Sequence, residues 1–255
     1  MSASGRYWRG EPLAVALVAM CAWGDQAGTA QSCTDPWSNV FGAYGELSGP
    51  VNAFAVFDAE LYIGGEFAGC MRRTVNYVAR WNGRRWARVG AGLYDPNSPY
   101  ALYVYALTTF DDPNSAAPTL YAGAVDGVYT MPDDPNDPNA AWPRVAATDA
   151  PVRALAVYDG ALYVGGEFSV IDPNDGPPIS AATIGRWNGA SWEEVGGGVG
   201  SDPNDPNSPP AKVLALTVFD FEDGGGPALF AGGTFLTAGG LGAKRVARWR
   251  SGACL

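Results

Sequence analysis

Histidine, the commonest general base and metal ligand, is absent from this chain of 255 residues. A Ser-His-Asp or Cys-His device and a His-ligated zinc site are therefore excluded. Any chemistry must rest on carboxylates, tyrosine, lysine or cysteine, and no metal or cofactor is expected. Glu66 and Glu167 each follow a Gly-Gly pair, and Thr234 takes that place in a third copy. These three are the candidate ligand-binding residues; the alternative is a solvated residue at a strand end. Asp-Pro-Asn occurs at Asp95, Asp112, Asp134, Asp137, Asp172, Asp202 and Asp205. Oxygen-rich loops of this kind can hold Ca²⁺, but none has the spacing of an EF-hand loop, so turn formation is the expected role. Asp58, Asp111, Asp159 and Asp220 recur at one position. A carboxylate needed in every copy points to turns rather than acid–base catalysis. Arg80, Arg186 and Arg248 precede tryptophans; on an alternating strand the two lie on opposite faces, with stacking on a neighbouring aromatic as the arginine's expected use. Cys70, with Arg72 and Arg73 nearby, lacks an activating histidine and reads as a buried or unpaired thiol.

The elements that must position these residues follow from self-similarity. One run reads Val51-Asn-Ala-Phe-Ala-Val-Phe-Asp58, Val104-Tyr-Ala-Leu-Thr-Thr-Phe-Asp111, Val152-Arg-Ala-Leu-Ala-Val-Tyr-Asp159 and Val213-Leu-Ala-Leu-Thr-Val-Phe-Asp220. A second follows each, as Leu61-Tyr-Ile-Gly-Gly-Glu-Phe67 and its counterparts from Leu120, Leu162 and Leu229. A third runs Val78–Trp81, Val128–Met131, Ile184–Trp187 and Val246–Trp249, and a fourth begins at Trp86, Trp142 and Trp192. Each unit thus holds four strand-like runs, a to d. Asp58-Ala and Asp159-Gly separate a from b, and Asn82-Gly83 and Asn188-Gly189 separate c from d as hairpin signals. Paired glycines ending run b suit close backbone approach or a bulge, and the recurring tryptophans suit packing between units.

Four antiparallel strands per unit predict an all-β fold: a β-propeller of four blades. The fourth copy has no run d of its own, and Trp37-Ser-Asn-Val-Phe-Gly precedes the first run a. The N-terminal strand is therefore expected to close the last blade beside Trp249, with a Cys33–Cys254 disulfide as a possible staple at that seam. The competing reading is four units of a larger propeller, or a chain that oligomerises. The pattern Leu-Tyr-[Ile/Val]-Gly-Gly-Glu-Phe, then [Val/Ile]-[Ala/Gly]-Arg-Trp-Asn-Gly and a second Trp, resembles the kelch-like propeller repeats of secreted and cell-surface proteins over residues 37–255. That resemblance implies fold and leaves function open; the copper chemistry of galactose-oxidase-type relatives requires histidines that are absent here. The second copy departs from the pattern, with Gly123-Ala-Val for Gly-Gly-x-Phe and Met131 for Trp.

Arg6 and Arg9, the apolar stretch Pro12 to Trp23 and Gly28-Thr29-Ala30 read as a signal peptide over residues 1–30, leaving one propeller domain over 31–255. The mature chain is then expected to be secreted or envelope-exposed, without a membrane span. A formal net charge of −10 argues against a nucleic-acid partner. The expected function is a non-enzymatic platform that binds a protein or a glycan at the propeller rim. The alternatives are a carboxylate-dependent glycan hydrolase or lyase, and a structural envelope protein.

Overall fold

The repeated runs form antiparallel sheets, and the chain is all-β. The computed structural model describes residues 47–70, 73–94, 101–113, 115–174, 176–205, 207–221 and 224–251. The expected signal peptide, the strand at Trp37, Asp95 and the Cys33–Cys254 pair lie outside the described residues. No helix among the described residues is long and apolar enough to cross a membrane.

Sheet I comprises strands Val51–Phe57, Glu60–Gly65, Val78–Trp81 and Trp86–Arg88, in that order. Sheet III repeats it with Val152–Tyr158, Ala161–Gly166, Ile184–Trp187 and Trp192–Glu194. Sheet II has Val104–Phe110, Thr119–Ala124, Gly127–Thr130 and Arg144–Thr148, extended by the hairpin Val170–Pro173/Ile179–Ser180. Sheet IV has three strands among the described residues: Val213–Phe219, Ala228–Gly233 and Val246–Trp249. All four share one register, including an irregularity after the first residue of strand a. Sheet II therefore keeps the plan of its siblings despite its divergent sequence.

The turns divide into two kinds. Asp58 and Ala59 have φ of 48° and 57°, and Asp159 and Gly160 of 49° and 68°, so both pairs form two-residue hairpin turns with two left-handed residues. Asp111 and Asp220 open longer loops, since Phe110 pairs with Thr119 and Phe219 with Ala228. A shared turn role at all four aspartates therefore holds for two of them only. The Asn-Gly pairs also differ from the tight hairpin their sequence suggests. Trp81 pairs with Trp86 across four residues, and the Asn82 side chain accepts from the N–H groups of Arg84 and Arg85 at 3.1 Å. Asn188 does the same for Ala190 and Ser191. Only the glycine of each pair has positive φ, and the asparagine works as a side-chain cap.

Each sheet packs its trailing face on the leading face of the next. Tyr62 and Val78 of sheet I meet Val104, Leu107 and Leu120 of sheet II. Phe110, Tyr121 and Val128 meet Val152 and Leu162, and Tyr158, Tyr163 and Ile184 meet Val213 and Leu229. The first glycine of each pair makes this fit possible. A Cβ on Gly64 would lie 2.4 Å from Val104 Cγ1, and one on Gly165 2.4 Å from Val213 Cγ1, closer than atoms can approach. Trp142 and Trp192 join these inter-sheet clusters, as the repeat predicts. Phe67, Phe168 and Phe235 are fully buried, each removing an aromatic side chain from water at about 2–3 kcal/mol. Cys70 occupies the place that Ile171 fills in the third copy of the repeat, and burial pushes its thiol up in pKa, so the neighbouring arginine does not activate it.

Candidate functional site

The starts of strand a from all four sheets converge on one cavity of about 640 Å³. The second residue of each strand lines it: Asn52, Tyr105, Arg153 and Leu214. The first residue of each strand is valine and the third alanine, because those positions serve sheet packing. The second is free of that duty and differs in every copy. That contrast within a repeat is a signal readable in the sequence, and the expectations from the Gly-Gly-x position alone missed it.

Glu167 and Thr234 line the same cavity, together with Lys212. Glu66 is exposed and is not among its lining residues. The structure thus brings together two of the three expected ligand-binding residues. Glu167 is clamped: Arg153 donates to its Oε1 from Nε at 2.8 Å and pairs with it from the guanidinium at 2.7 Å, and Lys212 Nζ lies 2.6 Å from Oε2. Burial pushes the Glu167 carboxyl up in pKa, but hydrogen bonds and charge from Lys212 and Arg153 outweigh it and hold the group below its ordinary value. Arg153 also sits over the Tyr105 ring, 4.0 Å from its centroid, a cation–π contact between sheets II and III. Two cations, Arg153 and Lys212, face one carboxylate, so the lining carries one surplus positive charge within a strongly acidic chain. An ionised, doubly paired Glu167 is a poor proton donor at neutral pH. The two-carboxylate geometry of glycoside hydrolysis needs a second acid at this cavity, and the lining contains Glu167 alone.

The other candidates resolve into structure. In four Asp-Pro-Asn copies the aspartate accepts from the asparagine N–H two residues on, at 2.9 Å, from Asp134, Asp137, Asp202 and Asp205. These are side-chain-capped turns, and no acidic cluster suited to a metal occurs among the described residues. Asp112 is different. It is buried, and its Oδ2 accepts from Tyr121 Oη at 2.9 Å and Trp187 Nε1 at 2.8 Å, joining sheet II to sheet III. Arg80 and Arg186 do not stack on aromatics as expected. Arg80 pairs with Glu60 at 3.1 Å and also bonds Asn136 of the next sheet, while Arg186 pairs with Glu193 at 2.6 Å. Carboxylates within reach offer a stronger partner than a ring face. A second cavity of about 460 Å³, with Trp187, Trp192, Pro173 and Pro177 in its wall, is largely apolar.

No family model and no curated protein matches this chain. Among solved structures, the extracellular domain of a putative one-component system from B. thetaiotaomicron is similar at 14% identity and a TM-score of 0.43, over 72% of this chain. The chain spans about a fifth of that protein's length (20%). The computationally designed protein Ika4 is similar at 16% identity and a TM-score of 0.39, over 80% of this chain and 94% of its own. The designed protein Ika8 is similar at 13% identity and a TM-score of 0.39, over 77% of this chain and 48% of its own.

Proposed function

We propose that the four sheets are blades of an exported, kelch-like β-propeller platform, and that the cavity at the starts of strands a binds an acidic saccharide. The carrying observation is the lining itself. Tyr105 with Arg153 stacked on it offers an aromatic and cationic platform, Asn52 and Thr234 offer hydroxyl-matching polar groups, and Lys212 with Arg153 supplies the surplus charge. A pyranose ring carrying a carboxylate or sulfate matches that set. The positions that differ between copies carry the recognition, while the repeated positions build the scaffold. Export follows from the signal-like segment at residues 1–30.

Binding of the full chain to an array of neutral and acidic saccharides tests this reading. Acidic members should bind, and Arg153→Ala should weaken binding at least tenfold, while Asp134→Ala in a remote turn leaves it unchanged. Glu167→Gln should strengthen binding several-fold, because it frees both cations for the ligand. A blank array together with turnover of a polysaccharide that Glu167→Gln abolishes would replace this reading with a carboxylate-dependent enzyme.

A further inference from the structure

The three internal interfaces share one pattern, and both halves of it are left over at the ends of the stack. On the trailing side, Val78, Val128 and Ile184 are buried against the following sheet, whereas the equivalent Val246 of sheet IV is 64% exposed. Phe110 and Tyr158 are buried, whereas the equivalent Phe219 is 53% exposed. Gly64, Gly123 and Gly165 each receive the first valine of the next sheet, whereas nothing lies within 4 Å of where a Cβ would stand on Gly232. Phe219, Phe221 and Phe230 form a cluster on this side, with centroids 4.9 to 6.5 Å apart. On the leading side, Leu107 is buried and Leu155 and Leu216 are half-buried, whereas the equivalent Phe54 of sheet I is 65% exposed. Among the described residues the cluster on that side of sheet I draws on Leu47 and its own strands, and no apolar cluster joins it to sheet IV.

We infer that sheet IV of one copy packs on sheet I of a second copy, repeating between chains the contact made three times within each. The occupant is a second copy because the chain itself carries the matching half: Val51 and Phe54 stand where Val104 and Leu107 fill the socket at Gly64, and Val213 and Leu216 that at Gly165, with Val152 alone at Gly123. Exposed apolar residues grouped on both ends of a stack favour burial. The contact is head-to-tail, so it grows into a closed ring or a filament. It is tested independently of the saccharide reading, because of the residues that build the contact only Val51 lines the cavity, and the test positions Phe54, Val246 and Gly232 do not.

Sedimentation velocity of the purified full chain at micromolar concentration tests the contact. The unaltered chain should sediment as species of at least two copies. Phe54→Glu and Val246→Glu, both at exposed positions, should each yield monomer with unchanged far-ultraviolet circular dichroism. Each variant keeps one intact face, so an equimolar mixture should recover a dimer and nothing larger. Gly232→Leu, which fills the socket, should dissociate the assembly as well. An unaltered chain that is monomeric throughout overturns the inference. So does a mixture that stays monomeric, or an assembly that survives both charged variants.

Discussion

Asp112 shows how far a residue's role can depart from its motif. It opens an Asp-Pro-Asn turn like the others, yet its carboxylate is buried between the Tyr121 hydroxyl and the Trp187 indole N–H. Asp112→Ala takes the acceptor from the buried Tyr121 hydroxyl and the half-buried Trp187 indole N–H, and unfolding in urea should show a loss of about 1–3 kcal/mol. Asp134→Ala, in an exposed turn, should change stability by less than about 0.5 kcal/mol. The Tyr121 phenol is raised above its ordinary value by burial and by Asp112, and that of Tyr129 by burial and Asp126. Because the folded state holds these protons more tightly, their contribution is complete below pH 10 or so and is lost as pH rises further. Urea unfolding should therefore show stability falling as pH rises above about pH 10, with a shallower fall in Tyr121→Phe.

At the scale of elements, strand pairing and sheet packing compete for the same glycines. The second glycine of each pair lies under the carbonyl before strand a: a Cβ on Gly65 would stand 2.1 Å from Pro50 O, and one on Gly166 2.1 Å from Pro151 O. The first lies under the valine of the neighbouring sheet. Gly165→Ala should thus destabilise by about 1–3 kcal/mol through overpacking against Val213, with partial recovery in the double variant Gly165→Ala/Val213→Ala. Gly232→Ala, in a chain made monomeric by Phe54→Glu, should cost almost nothing, since its socket is empty. Thermal unfolding of the variants measures both effects. The short hairpins in the b–c connections add a further link: Thr148 pairs with Ile171 and Val199 with Ala238, each stitching a sheet to the segment that precedes it. Leu47 and Cys70 make the equivalent bridge ahead of sheet I.

Across the described residues, sheets II and III are covered on both faces, whereas I and IV each keep one face exposed. Opening of a sheet exposes less new apolar surface at the ends than in the middle, so local stability should follow position in the stack. In the Phe54→Glu monomer, amide hydrogen exchange should be slowest in Val152–Tyr158 and markedly faster in Val213–Phe219, although the two strands occupy the same place in their repeats and share four of seven residues. Equal protection of both would require a cover over sheet IV within the same chain. The cavity is also a property of this scale, since it gathers side chains from four units that are each separated by about fifty residues (53, 48 and 61).

The repeat by itself determined the strands, their order within each unit and the faces that must be apolar. These depend on local backbone preference and on alternation along a strand, both written in consecutive residues. That the last unit carries runs a, b and c without a run d of its own was legible for the same reason, as was the burial of the tryptophans at Trp142 and Trp192. The Asn-Gly turns were misread because the choice between a two-residue and a four-residue loop rests on which tryptophans pair, not on the dipeptide. Only the tertiary structure decided that Asp112 reaches Trp187, 75 residues away, and that Glu167 meets Arg153 and Lys212 while Glu66 stays outside. It also decided that the second position of strand a faces a shared cavity in all four sheets, and that among the described residues two matching faces remain uncovered at the ends. Such outcomes depend on how one sheet seats on the next, and that seating is set by side-chain volume across interfaces between residues distant in the chain.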